Sequence, residues 1–166
     1  LIYSEKSLLI KKKGFIFMKT KTLYISDLDG TLLASDGHIS DKSRDILNKV
    51  MKDGAKVSIA TSRNLFAFDQ RVSGVDFSIP VILNTGGCIY NCQKKHYDVI
   101  SDIPFDRVLQ LKKILDENKI ASFIYGLVDE ELYLLYEGLF DEADQAYIKK
   151  RGPMYHTSVS YTHLRA

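Results

Sequence analysis

Three short apolar runs in the first hundred residues each end abruptly in a polar cluster. Leu23-Tyr24-Ile25 leads into Ser26-Asp27-Leu28-Asp29-Gly30-Thr31. Lys56-Val57-Ser58-Ile59-Ala60 leads into Thr61-Ser62-Arg63, and Val81-Ile82-Leu83, opened by Pro80, leads into Asn84-Thr85-Gly86-Gly87. Each run is too short for a helix and rich in β-branched or aromatic residues, so each reads as a strand, the first as a buried one. Helical patterns separate them. Ile46, Leu47, Val50 and Met51 form a stripe after an N-cap at Ser40, with Ile39 as staple and Asp41 in the first turn, and Gly54 stops it. Residues 64–72 read as a second helix, broken by Gly74. Strand, helix, strand, helix, strand predicts a Rossmann-like parallel sheet with right-handed crossovers, whose ligands sit beyond the carboxyl ends of the strands. All three polar clusters fall there, in phase.

From Cys88 the rhythm changes. Residues 88–90 and 96–100 read as a hairpin around 91–95. Pro104 opens a helix with Val108, Leu111, Ile114 and Leu115 on one face. Residues 121–128 and 132–136 read as strands around Asp129-Glu130-Glu131, and a helix over 139–150 is stopped by Gly152-Pro153. This α+β segment places a domain change near residue 103, giving one domain over 18–102 and a second over 103–158. The two ends fit neither. In residues 1–17 the lysines 11–13 follow the apolar Leu8-Leu9-Ile10, the reverse of a signal peptide. The stretch reads as a disordered or loosely packed extension. Met18 reads as the start, since Lys13-Gly14 can be encoded by a ribosome-binding sequence at a suitable spacing before it. Residues 159–166 back-translate to a sequence resembling a transposon-derived sequencing adapter and read as an artefactual tail.

Composition changes this picture little. The 166 residues are 45% hydrophobic and 27% charged, with ten Tyr, eight Phe and no Trp, enough for a globular core. No apolar run approaches the roughly 20 residues that span a bilayer, so no membrane partner is expected. The formal charge of +2 comes from the ends: residues 1–17 and 159–166 hold five of the 23 basic residues and one of the 21 acidic ones. The remaining basic residues are scattered, which disfavours nucleic acid as a partner. Two cysteines, Cys88 and Cys92, make no disulfide framework and fit a cytoplasmic location. With His96 they supply only three ligands on a hairpin, a poor zinc site.

The chemistry concentrates in the first cluster. Side chains alternate along a strand, so Asp27 and Asp29 leave it on one side, about 6–7 Å apart along the chain. Two like charges so placed repel unless a cation lies between them or one is protonated, which suits a metal and acid–base work. Gly30 permits a positive φ that turns backbone N–H groups toward an anion. A lone D-x-D is also what a strand running into a solvated turn would show; the apolar strand before it and Gly-Thr-Leu-Leu after it favour a site.

The string Asp27-Leu28-Asp29-Gly30-Thr31-Leu32-Leu33 resembles the first motif of the haloacid dehalogenase superfamily. Ile59-Ala60-Thr61-Ser62-Arg63 is similar to its second motif, with Ser62 where Gly is usual. Leu83-Asn84 and Gly86-Gly87-Cys88-Ile89-Tyr90 resemble the segment leading into the α+β cap of the Cof-type (type IIB) branch. The resemblance covers about residues 18–158 and implies an incomplete α/β core with part of a cap. It implies a Mg2+-dependent phosphatase of small phosphate esters such as sugar phosphates. In it Asp27 is the nucleophile forming an aspartyl-phosphate and Asp29 the general acid and base. Mg2+ is bound by the Asp27 carboxylate and the Asp29 carbonyl, while Gly30, Thr61, Arg63 and Asn84 bind phosphate or shape its site. The family also uses a lysine and a later acidic motif beyond the cap, which no position here matches, so the chain alone is expected to be a fragment with little turnover. The rival classes are a non-catalytic binding or scaffold protein and a receiver-type phospho-accepting domain. The latter draws its acidic residues from different strands, whereas here both share one. Neither G-x-x-x-x-G-K-[ST] nor G-x-G-x-x-G occurs, and Gly30 follows Asp27 too closely for an EF-hand.

Overall fold

The computed structural model describes residues 8–12, 15–19, 22–151 and 155–158. The chain divides into two compact units, Leu1–Ser101 and Asp102–Ala166.

In the first unit, Leu8–Lys12 (β1) and Phe15–Lys19 (β2) pair antiparallel. These strands fall largely within residues 1–17, the stretch expected as a disordered or loosely packed extension, and Met18 lies inside β2. Two apolar runs either side of a short break containing Gly14 are a hairpin pattern. The tail over residues 159–166 lies outside the described residues.

Leu23–Ser26 (β3) runs parallel to Lys56–Ile59 (β4), with Leu23 opposite Lys56 and Ser26 opposite Ile59. A single parallel bridge from Ala60 to Ile82 joins this pair to Val81–Leu83 (β5). Cys88–Asn91 (β6) and His96–Ile100 (β7) then continue antiparallel from β5. The crossover from β3 to β4 is Asp41–Lys52 (α1), whose N-cap Ser40 hydroxyl accepts from the Ser43 N–H at 3.2 Å. Leu65–Asp69 (α2) is capped by Asn64, whose side chain accepts from the Ala67 N–H at 3.0 Å. It is shorter than the 64–72 expected, because Arg71 and Val72 both donate to the Phe68 carbonyl and tighten the chain into turns.

The core of this unit is Leu28, Ile59, Phe68, Phe77, Val81 and Leu83, all nearly inaccessible. Each such side chain contributes about 1.5–3 kcal/mol on burial. One expectation fails here. Leu23, Tyr24 and Ile25 are 44%, 50% and 51% exposed, not buried. Among the described residues β3 pairs with β4 alone, so its other edge has no neighbour to remove these side chains from water.

The second unit holds Phe105–Glu117 (α3), the antiparallel pair Ser122–Val128 (β8) and Glu131–Glu137 (β9), and Glu142–Arg151 (α4). Asp129 and Glu130, with φ of 50° and 66°, make the two-residue turn between β8 and β9. His156–Ser158 (β10), absent from the sequence reading, pairs parallel to β9. The start of α4 is fixed by reciprocal bonds: Asp141 accepts from the Asp144 N–H, and Asp144 accepts from the Phe140 and Asp141 N–H groups. Leu134 and Leu135 of β9 are buried. Of the stripe on α3, Val108 and Leu115 are half-buried, but Leu111 and Ile114 are exposed. Lys112 is mostly buried and pairs with Asp116 and with Glu137 at 3.1 Å.

Candidate active site

The parallel strands carry their polar clusters to one edge of the first unit, and hydrogen bonds weld two of those clusters together. β3 ends at Ser26, whose hydroxyl donates to the Asp27 carbonyl at 2.8 Å. Beyond it the buried Leu28 anchors a tight turn in which the N–H groups of Thr31, Leu32 and Leu33 all point at the Leu28 carbonyl, at 3.0–3.2 Å. The turn holds the flanking Asp27 and Asp29 at the surface, both exposed. Gly30 takes a φ of +73°, and the space beside it is open: a Cβ placed there meets no atom within 4 Å.

The end of β4 supplies the second cluster. Thr61 is buried, and its hydroxyl accepts from the Arg63 N–H at 3.2 Å. As acceptor in that bond it keeps its own hydrogen to donate. Arg63 reaches across to Asp29, donating from Nε to Oδ2 at 2.9 Å and from Nη2 to Oδ1 at 2.6 Å. This two-pronged bond, helped by the charges of Arg63 and Arg71 and opposed by slight desolvation, holds the Asp29 carboxyl below the usual carboxylate range. The same bond raises the Arg63 guanidinium.

The third cluster frames the second. The Asn84 N–H donates to the Arg63 carbonyl at 2.9 Å and the Thr85 N–H to the Thr61 carbonyl at 3.1 Å. Asn84 and Thr85 sit at φ of 52° and 56°, a conformation costly for a β-branched residue such as Thr85. The Asn84 side chain donates to the Cys88 sulfur at 3.0 Å, so it ties the turn to β6. Asp29, Thr61 and Arg63 are thus brought into one bonded group, with Asp27 two residues before Asp29 and Gly30 directly after it. Asn84 joins through its backbone.

Arg71 escaped the sequence reading. It bears on Asp29 electrostatically and holds the loop after the Leu28 turn, donating to the Gly37 carbonyl at 3.2 Å with the His38 ring nitrogen at 3.3 Å. Nothing in the letters around it marks this, since the contacts span more than thirty positions. The cysteines are unsuited to nucleophilic work: burial raises both thiols, that of Cys92 to about 11. No group of three or more His, Cys, Asp or Glu side chains converges among the described residues.

Residues 24–164 match the family model of the haloacid dehalogenase-like hydrolases. The chain belongs to that family. Its branch is the Cof-type one. Two curated Bacillus subtilis proteins are similar to it, both named as 5-amino-6-(5-phospho-D-ribitylamino)uracil phosphatases. YitU is 26% identical over 115 residues, covering 68% of this chain and 43% of its own length. YwtE is 37% identical over 109 residues, covering 66% and 36%. A haloacid dehalogenase-like hydrolase from Bacteroides thetaiotaomicron superposes with a TM-score of 0.62 at 21% identity, covering 86% of this chain and 52% of that one. The chain therefore spans less than half the length of these curated relatives. The likeness to the Bacteroides structure is one of fold, an α/β core with a parallel sheet. Among the described residues no helix is long and apolar enough to cross a membrane.

Proposed function

We propose that the protein is a phosphate monoester hydrolase in which Asp27 attacks phosphorus and Asp29 moves the proton. The observation that carries this reading is the pairing of two neighbouring carboxylates in different states at one sheet edge. Asp27 stands exposed, while Asp29 is gripped by Arg63 beside the hydroxyl-bearing Thr61.

In the first half-reaction an Asp27 carboxylate oxygen forms a bond to phosphorus, and the bond from phosphorus to the ester oxygen breaks. The proton of Asp29 passes to the departing alcohol. In the second, water attacks the aspartyl-phosphate and gives its proton to Asp29, which restores Asp27 and releases inorganic phosphate. In the free site Arg63 favours the ionised Asp29. A phosphoryl group arriving alongside adds negative charge, which favours the protonated form the first half needs. Thr61 donates to a phosphoryl oxygen, and the open backbone at Gly30 receives another.

The donor set suits Mg2+, a hard cation that takes oxygen ligands and keeps several waters. The Asp27 carboxylate and the Asp29 carbonyl would hold it, since the Asp29 carboxylate is engaged by Arg63. When bound, the ion offsets repulsion between an anionic nucleophile and an anionic ester. The substrate class is small phosphorylated metabolites, sugar phosphates among them. The phosphoribityl compound in the names of the two curated relatives falls in that class.

The test uses the protein at the length of its relatives, because the chain spans less than half of the curated ones. Asp27→Asn should abolish Mg2+-dependent hydrolysis, an amide being a poor nucleophile. Asp29→Asn should lose about 10²–10⁴-fold, most on esters with poor leaving groups. Full activity in the Asp27 variant would remove the reading.

A further inference from the structure

Resting on that reading, we propose that Arg63 is a positioning residue for Asp29 and not a ligand of the phosphoryl group. A guanidinium has five N–H donors in a rigid fork, and here the Nε–Nη2 edge is given wholly to the two oxygens of Asp29. Side-on pairing fixes both the direction and the rotation of the carboxylate. A single contact would fix only its distance. Asp29 has need of this. Its side chain is 51% exposed, and without a partner it would exchange among staggered rotamers.

Arg63 is itself immobilised from both sides, which a floating phosphate ligand would not require. Its N–H is held by the Thr61 hydroxyl and its carbonyl by the Asn84 N–H, and its side chain is only 25% exposed. The buried end of β4 thus reaches across to the end of the exposed β3 and sets the orientation of the residue that must give a proton and then take one back. Both transfers use the same carboxylate, so one fixed orientation serves both.

Two measurements test this, and they fail separately from the hydrolase reading. The first uses the present chain and follows the Arg63 Nε–H by nitrogen–proton NMR. It should be displaced and protected from exchange, should collapse to the position of exposed arginines in Asp29→Asn, and should stay in place in Asp27→Asn. A signal matching exposed arginines in the unmutated chain would overturn the proposal whatever the protein hydrolyses. The second uses the relatives' length and compares Arg63→Lys and Arg63→Gln on one activated and one unactivated ester. Loss of orientation should lower kcat on the unactivated ester by about tenfold to a hundredfold. The activated ester should suffer less, with KM and inhibition by inorganic phosphate within about twofold of the parent. Lysine should rescue part of the loss, since it keeps the charge without the fork. A rise of tenfold or more in KM and in the phosphate inhibition constant, equal for both esters, would make Arg63 a phosphate ligand and overturn the proposal. If the parent hydrolyses neither ester, the hydrolase reading falls and the NMR result alone decides whether the clamp exists.

Discussion

β3 and β4 are adjacent and parallel, four residues each, yet they differ sharply in burial. The side chains of Leu23, Tyr24 and Ile25 are about half exposed, whereas Val57, Ser58 and Ile59 are buried. The difference lies in neighbours. β4 has β3 on one side, the bridge to β5 on the other, and α1 packed on it; β3 has β4 alone among the described residues. Burial belongs to the place of a strand in its sheet more than to its letters. The two candidate carboxylates follow the exposed strand, and Arg63, which grips Asp29, follows the buried one together with Thr61. The rigid partner positions the accessible partner, which is how a site can be both open to substrate and ordered.

The largest expected effect separates the two strands directly. Ile59→Ala should cost about 2–5 kcal/mol, since it empties a fully buried position. Ile25→Ala should stay within about 1 kcal/mol, being half exposed. Urea unfolding of both variants measures the gap, and equal losses would mean that β3 is covered. A smaller effect sharpens the link between the strands. The Asp29 carboxyl is held below its usual value near 3.8, so its pairing with Arg63 favours the folded state above that pH. That contribution is lost as pH falls through the lowered folded value. The stability difference between the parent and Asp29→Asn should therefore be under about 1 kcal/mol near neutral pH, given the exposure of Asp29, and shrink in acid. A difference that grows in acid would contradict the pair.

Much of this edge could be read from the letters, because strand ends and turn residues are local signals. The three polar clusters, the Ser40 cap and the hairpin of β6 and β7 all lie where short-range patterning puts them. What escaped reading is long-range. The Arg63–Asp29 bond joins residues 34 positions apart, and no local pattern marks either as the other's partner. The exposure of β3 depends on which strands flank it, and the pairing of β10 beside β9 depends on a crossover through α4. The early end of α2 is local but subtle, since residues 66–72 offer no helix breaker and the turn comes only where two N–H groups share the Phe68 carbonyl.

In the proposed reaction an oxygen of the Asp27 carboxylate, just beyond the exposed strand, bonds to phosphorus. The most direct measurement is to incubate the protein at its relatives' length with Mg2+ and an activated phosphate ester, quench in acid, and map the phosphoryl group by peptide mass spectrometry. A single acid-stable, base-labile modification is expected at Asp27, absent from Asp27→Asn and retained, with slowed breakdown, in Asp29→Asn. A phosphoryl group on Asp29 or elsewhere, or undiminished turnover with Asp27 replaced, would contradict it.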